Sequence, residues 1–282
     1  MSDIELSVII PCKNEGATLA DQLDSLARQD WDGAWEVIVV DNGSTDDSAA
    51  VAFNHAGLRN RIRVVHAEHA KCVAAVRRCG VEASAARSVV FCDGDDIVGV
   101  EWVRSFGIAL REHECVTGQT EVDRLNEPGL AASRGRKQLG VAPRFGPHTI
   151  LSGCTGGMTR AAWNRFDGFD ESFEGLEDIE LSLRIAAAGE RVEFVPAAVV
   201  HYRYRSEARA LWKQGRFYGA SQVALSRRCR ALGLQPPRSH AWKSWLRLFV
   251  LAPMAWHPSR RLAWLWLLAC RLGALRAAAK RS

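Results

Sequence analysis

Three carboxylates follow a short apolar run about a third of the way along this 282-residue chain. Residues 89–92 have the continuous apolar character of a strand buried on both faces of a parallel sheet, and Asp93, Asp95 and Asp96 come directly after it. Ligands of open α/β sheets bind just beyond the carboxyl ends of such strands. Oxygen donors grouped this closely suit Mg²⁺ or Mn²⁺. The pattern therefore predicts a divalent-cation site, with an ordinary acidic turn as the alternative.

Two further acids follow predicted strands. Asp41 comes directly after the apolar run 37–40, and Glu15 lies five residues past the run 6–10. Because the carboxyl ends of parallel strands share one edge of a sheet, we expect these acids to converge with Asp93 on one ligand. The alternative is a set of independent solvated turns.

A second acidic position begins a predicted helix. Glu177 and Asp178 precede the helical pattern that Gly189 ends. Carboxylates at a helix N-terminus are stabilised by the helix dipole, and an ionised carboxylate could equally serve as a general base for an acceptor hydroxyl. His201 follows the predicted strand 198–200, and it is either a metal ligand or an ordinary histidine.

The elements that must position these residues alternate between strands and helices. The predicted strands are 6–10, 37–40, 62–65 and 89–92, and the helices between them are 16–28, 44–55 and 71–86. Such alternation predicts βαβ units and a parallel sheet. Farther along, a helix is predicted at 103–111, a strand at 115–122, an irregular segment at 124–147 and two short strands at 192–195 and 198–200.

Cysteine usage and the N-terminal sequence indicate a cytosolic protein. The eight cysteines include no Cys-x-x-Cys pair, and several lie inside apolar runs, which favours reduced, buried thiols over a disulfide framework or a zinc ribbon. The first residues show neither a basic segment nor a long apolar stretch, so we expect no secretory signal.

The last 80 residues differ in charge from the rest of the chain. Residues 1–202 carry a net charge of −11, and residues 203–282 carry +16. Five of the ten tryptophans lie between Trp242 and Trp266, interleaved with Lys and Arg. Pro253 and Pro258 should divide this tail into two short helices, and neither of its apolar stretches (245–256 and 262–270) reaches the ~20 residues that span a bilayer.

This composition predicts helices that lie in the headgroup region of an anionic membrane. The alternatives are packing on the protein itself or in a homodimer, and nucleic-acid binding. The acidic body of the chain argues against nucleic acid.

Six motifs in one order resemble a known family. They are Ser-Val-Ile-Ile-Pro-Cys-Lys-Asn-Glu at 7–15, Val-Val-Asp-Asn-Gly-Ser-Thr-Asp at 39–46, Val-Arg-Arg-Cys-Gly at 76–80, Asp-Gly-Asp at 93–95, Gly-Phe-Asp-Glu at 168–171 and Glu-Asp at 177–178. Over roughly residues 5–205 the chain resembles the inverting glycosyltransferases of family 2, which have the GT-A fold. It departs from the family at Arg78, where Asn is usual, and this leaves the local contacts to phosphate open.

The resemblance implies a role for each candidate site residue. The implied ligands of the nucleotide sugar are Pro11, Glu15, Asp41, Arg77 and Asp93; the implied metal ligands are Asp95 and, by a looser match, His201; the implied catalytic base is Asp178. The implied cofactor is Mn²⁺ or Mg²⁺.

The resemblance also implies the fold and the reaction. The expected α/β architecture is a Rossmann-like, mostly parallel central sheet flanked by helices (residues 1–205) with a basic, Trp-rich helical extension (residues 206–282). The expected reaction is inverting transfer from a UDP-, dTDP- or GDP-sugar to a hydroxyl of a glycan or lipid-linked acceptor at the cytoplasmic face of the membrane, in bacterial-type cell-surface glycoconjugate synthesis. A non-catalytic nucleotide-sugar-binding or scaffold protein is the alternative. A nucleotidyltransferase is less compatible, because residues 12–16 supply no Gly-rich basic loop.

Overall fold

The computed structural model describes residues 4–134, 139–173, 175–237 and 241–279. They form two compact units. The first comprises the described parts of Met1–Glu121 and Leu139–Tyr202, and the second those of Val122–Gln138 and Arg203–Ser282. The division at residue 205 stays a prediction, and the grouping of Val122–Gln138 with the C-terminal helices was not foreseen from the sequence.

The strands all lie in the first unit. They are β1 (Leu6–Cys12), β2 (Trp35–Asp41), β3 (Ile62–His66), β4 (Ser88–Phe91), β5 (Ile97–Val98), β6 (Cys115–Glu121), β7 (Arg144–Phe145), β8 (His148–Thr149), β9 (Gly156–Thr159) and β10 (Glu193–His201). Within the described residues, β7 and β8 pair only with each other, and the other eight strands form one sheet.

The helices are shared between the units. Those of the first unit are α1 (Gly16–Ala27), α2 (Ser48–Phe53), α3 (Val73–Ala83), α4 (Trp102–Ala109), α6 (Arg160–Arg165) and α7 (Glu177–Ala187), and those of the second are α5 (Pro128–Arg134), α8 (Ala208–Ala231), α9 (Ala241–Leu251) and α10 (Pro258–Ala279). Two short 3₁₀ turns, Ala56–Leu58 and Ala252–Met254, complete the described elements.

The sheet is mixed and mostly parallel, in the order β3-β2-β1-β4-β9-β6-β10-β5. β1 pairs in parallel with both β2 and β4, while β9 runs antiparallel to its neighbours β4 and β6. The register places Asp41 opposite Cys12 and Phe91 opposite Ile9. The carboxyl ends of β1, β2 and β4 therefore open onto the same edge of the sheet, as the sequence predicted.

The apolar runs of the central strands are continuous because both faces of the sheet are covered. Alternate residues of one strand point to opposite faces. One core layer, beneath α1 and α4, contains Val8, Ile10, Leu19, Leu23, Val37, Val39, Val90, Trp102 and Phe106. The other, beneath α3 and α7, contains Ile9, Ile38, Val40, Val76, Val89, Phe91, Phe169, Leu181 and Ile185.

The structure differs from the sequence prediction in two segments of the middle of the chain. The two short strands predicted at 192–195 and 198–200 are one strand, β10, whose register against β6 shifts between Phe194 and Val199. Pro196 lies inside this irregularity, where it donates no backbone hydrogen bond. The segment 124–147, predicted to be irregular, contains α5 and β7, and β7 pairs with β8 just past the end of this segment.

The helices of the basic tail also differ from the prediction. α9 ends at Leu251 and α10 begins at Pro258, so the tail is divided near the two prolines as predicted. However, α10 is long rather than short. By length and composition alone, its segment Arg260–Ala279 is long and apolar enough to cross a membrane. The prediction that the apolar stretch 262–270 is too short to span a bilayer was therefore wrong for the helix that contains it. Arg271 and Arg276 interrupt the apolar residues without ending the helix.

Candidate active site

The acidic turn, residues 93–96, follows β4 at the carboxyl edge of the sheet. Asp93, Asp95 and Asp96 each offer one carboxylate oxygen to a group in which all three oxygens lie within 4.8 Å of one another. Asp96 is buried, and the other two are half-buried. Carboxylates this close repel one another unless a cation or hydrogen-bond donors offset their charge. The donor set and its spacing therefore fit a hard divalent cation.

The side chain of Gln22 in α1 forms hydrogen bonds with the backbone on both sides of the acidic turn. This side chain is fully buried, and its Nε2 donates to the carbonyl oxygen of Asp93 at 3.0 Å. Its Oε1 accepts from the backbone N–H of Val98, also at 3.0 Å. One amide side chain thus fixes the backbone on both sides of the turn. Sequence reasoning missed Gln22, although a glutamine between Leu19 and Leu23 on the apolar face of α1 was a signal.

Glu15 reaches the acidic turn from the end of β1. A Cβ atom added to Gly94 would lie 2.1 Å from Glu15 Oε2, so the carboxylate of Glu15 packs directly on the glycine. Any larger residue at position 94 would displace it. This contact places Glu15 beside the acidic turn, and the convergence of these acids on one ligand stays a prediction.

Asp41 lies at the end of β2 and is buried. Its Oδ1 accepts from the backbone N–H of Ser44 at 3.1 Å, and its Oδ2 lies 3.5 Å from His66 Nδ1. The loop after β2 is tied to the loop after β1, since Asn14 Oδ1 accepts from the N–H of Thr45 at 2.8 Å. Pro11 lies within β1 itself, buried and opposite Val40.

The acidic helix start, Glu177 and Asp178, occupies the N-terminus of α7. Asp178 Oδ2 accepts from the backbone N–H of Gly153 at 2.8 Å, and its Oδ1 accepts from the N–H of Ile179 at 2.8 Å. Glu177 is buried. Leu176, just before the helix, has a left-handed backbone (φ 62°) that turns the chain into α7. The carboxylate of Asp178 is therefore fixed in orientation by two backbone N–H groups.

Arg77 of α3 connects the acidic turn with the acidic helix start. Its guanidinium is buried, donates from Nη2 to Asp93 Oδ1 at 2.8 Å, and donates from Nη1 to Glu177 Oε1. A Cβ atom on Gly153 would lie only 2.8 Å from Arg77 Nη1, so glycine is needed beside the guanidinium. The Gly153 position, which also donates to Asp178, was not singled out from the sequence.

The charges of this cluster are set by burial and by one another. Burial raises the pKa of Asp178 above its ordinary value, and the Gly153 N–H and the Arg77 guanidinium oppose that shift. Burial also raises the pKa of Glu177, again opposed by Arg77. Burial by itself would lower the pKa of Arg77, but Asp93, Glu177 and Asp178 together raise it. Arg77 therefore stays cationic, and Asp178 is more basic than an exposed aspartate.

His201 lies at the end of β10, beside the strand that follows the acidic turn. The sheet register places it opposite Glu121 of β6 and opposite Ile97 of β5, and its Nδ1 lies 2.7 Å from Glu121 Oε2. The group of close carboxylates at 93–96 does not include it. A metal-binding role for His201 stays a prediction.

Arg78, the departure from the family pattern, contacts the segment 167–171. Its Nη1 donates to the carbonyl oxygens of Asp167 at 2.7 Å and of Phe169 at 3.2 Å. Its guanidinium also lies 3.4 Å from Glu171. Arg78 therefore fastens α3 to the Gly168–Glu171 motif.

Comparison with known proteins gives a family match and a set of relatives. The sequence model described as Glycosyl transferase family 2 matches residues 7–173. The pre-mycofactocin glycosyltransferase of Mycobacterium tuberculosis is 28% identical over 233 residues, which cover 79% of this chain and 47% of the relative. The chain thus spans about half the length of that protein.

Solved structures resemble this fold at low sequence identity. One is a mannosyltransferase of Pyrobaculum calidifontis, PcManGT, solved in complex with GDP-Man and Mn²⁺. The match covers 100% of this chain and 89% of the PcManGT chain, with a TM-score of 0.65 and 17% identity. Another is TarS of S. aureus (residues 1–349), solved with UDP-GlcNAc. The match covers 78% of this chain and 67% of the TarS chain, with a TM-score of 0.57 and 19% identity. These likenesses extend to the fold alone.

Proposed function

Because this chain belongs to glycosyl transferase family 2, we propose that it transfers a sugar from a nucleotide-sugar donor to an acceptor hydroxyl, with inversion at the anomeric carbon. The family resemblance and the GT-A fold predicted from the sequence are confirmed by the family match and the structural likenesses. The observation that carries the reaction is the link through Arg77, which joins the acidic turn and the acidic helix start into one cluster.

The donor side of the proposal rests on the converging strand ends. We assign the nucleoside pocket to Pro11, Glu15 and Asp41, with the carboxylate of Asp41 accepting from a base N–H. Asp93 and Arg77 lie next to one another and would face the ribose, the sugar or the diphosphate. UDP-, dTDP- and GDP-sugars all present such groups, and PcManGT and TarS were solved with GDP- and UDP-linked sugars.

The acidic turn is the proposed metal site. Its three close carboxylates would hold Mn²⁺ or Mg²⁺, with Asp95 as the principal ligand and His201 as an additional one. When bound, such an ion neutralises charge on the departing diphosphate. Gln22 would keep the turn in place for it through the two backbone hydrogen bonds described above.

Asp178 is the proposed general base. It would take the proton from the acceptor hydroxyl while that oxygen forms a bond to the anomeric carbon and the bond between that carbon and the diphosphate oxygen breaks. A single displacement inverts the configuration and needs no enzyme nucleophile. The raised pKa of Asp178 makes it a stronger proton acceptor, and its two backbone hydrogen bonds hold it in one orientation.

The proposed acceptor and location rest on the C-terminal unit. Its basic, Trp-rich helices support peripheral contact with an anionic membrane on the cytoplasmic side, where a glycan or lipid-linked acceptor would be presented. The proposed pathway class is the synthesis of bacterial cell-surface glycoconjugates.

Ligand-induced thermal stabilisation tests the donor and metal assignments together. The melting temperature of the full chain is measured with UDP, dTDP, GDP and their common sugar conjugates, each with Mn²⁺ and with EDTA. At a hundred times Kd, one of them should raise Tm by about 5 °C or more in the presence of Mn²⁺.

The rise should disappear with EDTA and in Asp95→Asn. It should persist in Asp32→Asn, which makes the same chemical change at an exposed position of the same unit. If no nucleotide or nucleotide sugar shifts Tm with Mn²⁺, the proposed function is wrong.

A further inference from the structure

α9 presents a continuous exposed apolar face. Its members, here named the α9 face, are spaced by three and four residues and are between 39% and 81% exposed: Trp242, Trp245, Leu246, Phe249 and Val250. This spacing places all five on one side of a helix. Leu248 lies on the other side, where it is buried and its carbonyl oxygen accepts from Trp264 Nε1 at 2.9 Å. α9 is therefore held to α10 by the side opposite the α9 face.

Cations and no acids accompany the α9 face. Lys243 and Arg247 of α9 and Arg260 and Arg261 of α10 are exposed. Residues 241–279 contain no Asp or Glu. Apolar aromatic side chains flanked by cations complement a surface of anionic lipid headgroups over acyl chains. A second copy of the same face would instead bring like charges together, which disfavours a dimer through it.

α10 is long enough to cross a bilayer, but its packing on α8 opposes a spanning arrangement. A Cβ atom on Gly219 would lie 1.9 Å from the carbonyl oxygen of Cys270, and one on Gly273 would lie 2.0 Å from that of Arg216. The two helix backbones are therefore in close contact. α8 carries six cations: Arg209, Lys213, Arg216, Arg227, Arg228 and Arg230. If α10 crossed the bilayer, it would either lose this contact or carry these charges with it.

We propose that α9 lies flat in the interface of an anionic membrane with the α9 face inserted, while α10 stays packed on α8. This inference deepens the peripheral membrane contact of the proposed function and rests on it. It names the inserting surface and excludes a membrane-spanning role for α10. Insertion of five large apolar side chains and attraction of the neighbouring cations act together, so binding requires both.

Vesicle flotation of the full chain tests the surface. Wild type should float with vesicles of phosphatidylglycerol and phosphatidylcholine and bind pure phosphatidylcholine much more weakly. The double variant Trp245→Ser/Phe249→Ser should lose roughly tenfold or more in partitioning, because two large apolar side chains no longer enter the interface. Phe53→Ser removes an equally exposed aromatic (79%) from the first unit and should partition like wild type.

Further measurements distinguish an anionic membrane surface from the two alternatives, a membrane-spanning α10 and a second copy of the chain. Lys243→Gln/Arg247→Gln should reduce binding to the anionic vesicles and make it less dependent on salt. An alkaline carbonate wash should release the chain from the membranes of expressing cells. Retention after the wash would overturn the proposal in favour of a spanning α10. A wild-type dimer that Trp245→Ser/Phe249→Ser converts to a monomer would overturn it in favour of a second copy.

The nucleotide-induced Tm shift is recorded on the same samples, so that folding and donor binding are known for each variant. No flotation of wild type with anionic vesicles, or unchanged flotation of the folded double variant, would refute the α9 surface and leave the transferase proposal standing. If the chain floats as expected but no nucleotide shifts its Tm, the proposal for the α9 face stands and the proposed transferase function is refuted.

Discussion

The acidic turn and the acidic helix start contain the same kind of side chain in opposite surroundings. The turn groups three carboxylates beyond a strand, with Asp93 and Asp95 half-buried. The helix start holds Glu177 buried and Asp178 between two backbone N–H groups, where burial raises the pKa of both. Crowded carboxylates suit a cation, while a single oriented carboxylate with a raised pKa suits proton transfer.

Arg77 lets the two surroundings coexist in one cluster. It is the cation between them, and its contacts to Asp93 and Glu177 offset charge on each side. A buried arginine that lost one of these partners would be left with uncompensated charge. The comparison teaches that the environment, rather than the residue type, assigns each aspartate its role. Three predictions separate the two roles, beginning with the one of largest expected effect.

Asp178→Asn should lower kcat by about 10²–10⁴-fold, because an amide cannot accept the proton of the acceptor hydroxyl. Release of nucleoside diphosphate from the donor that shifts Tm is the measurement, with water or added glycan as acceptor. The Mn²⁺-dependent Tm shift should stay near the wild-type value, in contrast to its loss in Asp95→Asn. Turnover at the wild-type rate in Asp178→Asn would remove this aspartate from the mechanism.

The pH dependence of kcat should show an acidic limb to which Asp178 contributes together with the adjacent Glu177, whose pKa burial raises to about 7. Because the pKa of Asp178 is also raised in the folded protein, the base becomes protonated and inactive at a higher pH than the ~3.9 of an ordinary aspartate. We expect kcat to fall as pH decreases, with a midpoint above that value. Donor and Mn²⁺ are kept saturating at each pH, as judged by the Tm shift. A rate that stays constant down to pH 4 in the folded enzyme would contradict the raised pKa.

The sequence predicted the position of the acidic turn better than the residues that support the site. Strand ends could be located because alternate apolar residues of β1, β2 and β4 fill two core layers, which leaves continuous runs that stop at Asp41 and Asp93. Gln22 and Gly153 were missed, because their roles lie in backbone contacts across long sequence separations, although the position of Gln22 on the apolar face of α1 was a signal. The roles of Asp178 and His201 came from the family resemblance and remain predictions.

Elements without a simple period were the least predictable. The sequence predicted two strands where the structure has the single strand β10. The interruption between them coincides with the irregular pairing of β10 with β6 around Pro196. α10 was read as short because its arginines divide the apolar residues, although arginine is a good helix former and does not end a helix. The membership of Val122–Gln138 in the second unit depends on tertiary contacts, which no local pattern encodes.

The smallest predicted effect is that of Gln22→Met, which removes both hydrogen bonds to the backbone around the acidic turn while keeping the side-chain volume similar. The half-buried Asp93 carbonyl loses this partner and the Val98 N–H keeps only Ser25 Oγ at 3.2 Å, at a cost of about 1–3 kcal/mol in the free energy of unfolding. Mn²⁺ affinity, measured by calorimetry, should fall severalfold because the turn is no longer fixed.

Gln29→Met is the matched control for this variant. Gln29 lies one residue past the C-cap of the same helix and likewise bonds the backbone. It donates to the carbonyls of Gly99 at 2.8 Å and Ser25 at 3.0 Å and accepts from the Val103 N–H at 2.9 Å, none of which belongs to the acidic turn. It should lose comparable stability and keep wild-type Mn²⁺ affinity. If both variants weaken Mn²⁺ binding equally, the effect is one of general stability, and Gln22 has no specific part in positioning the acidic turn.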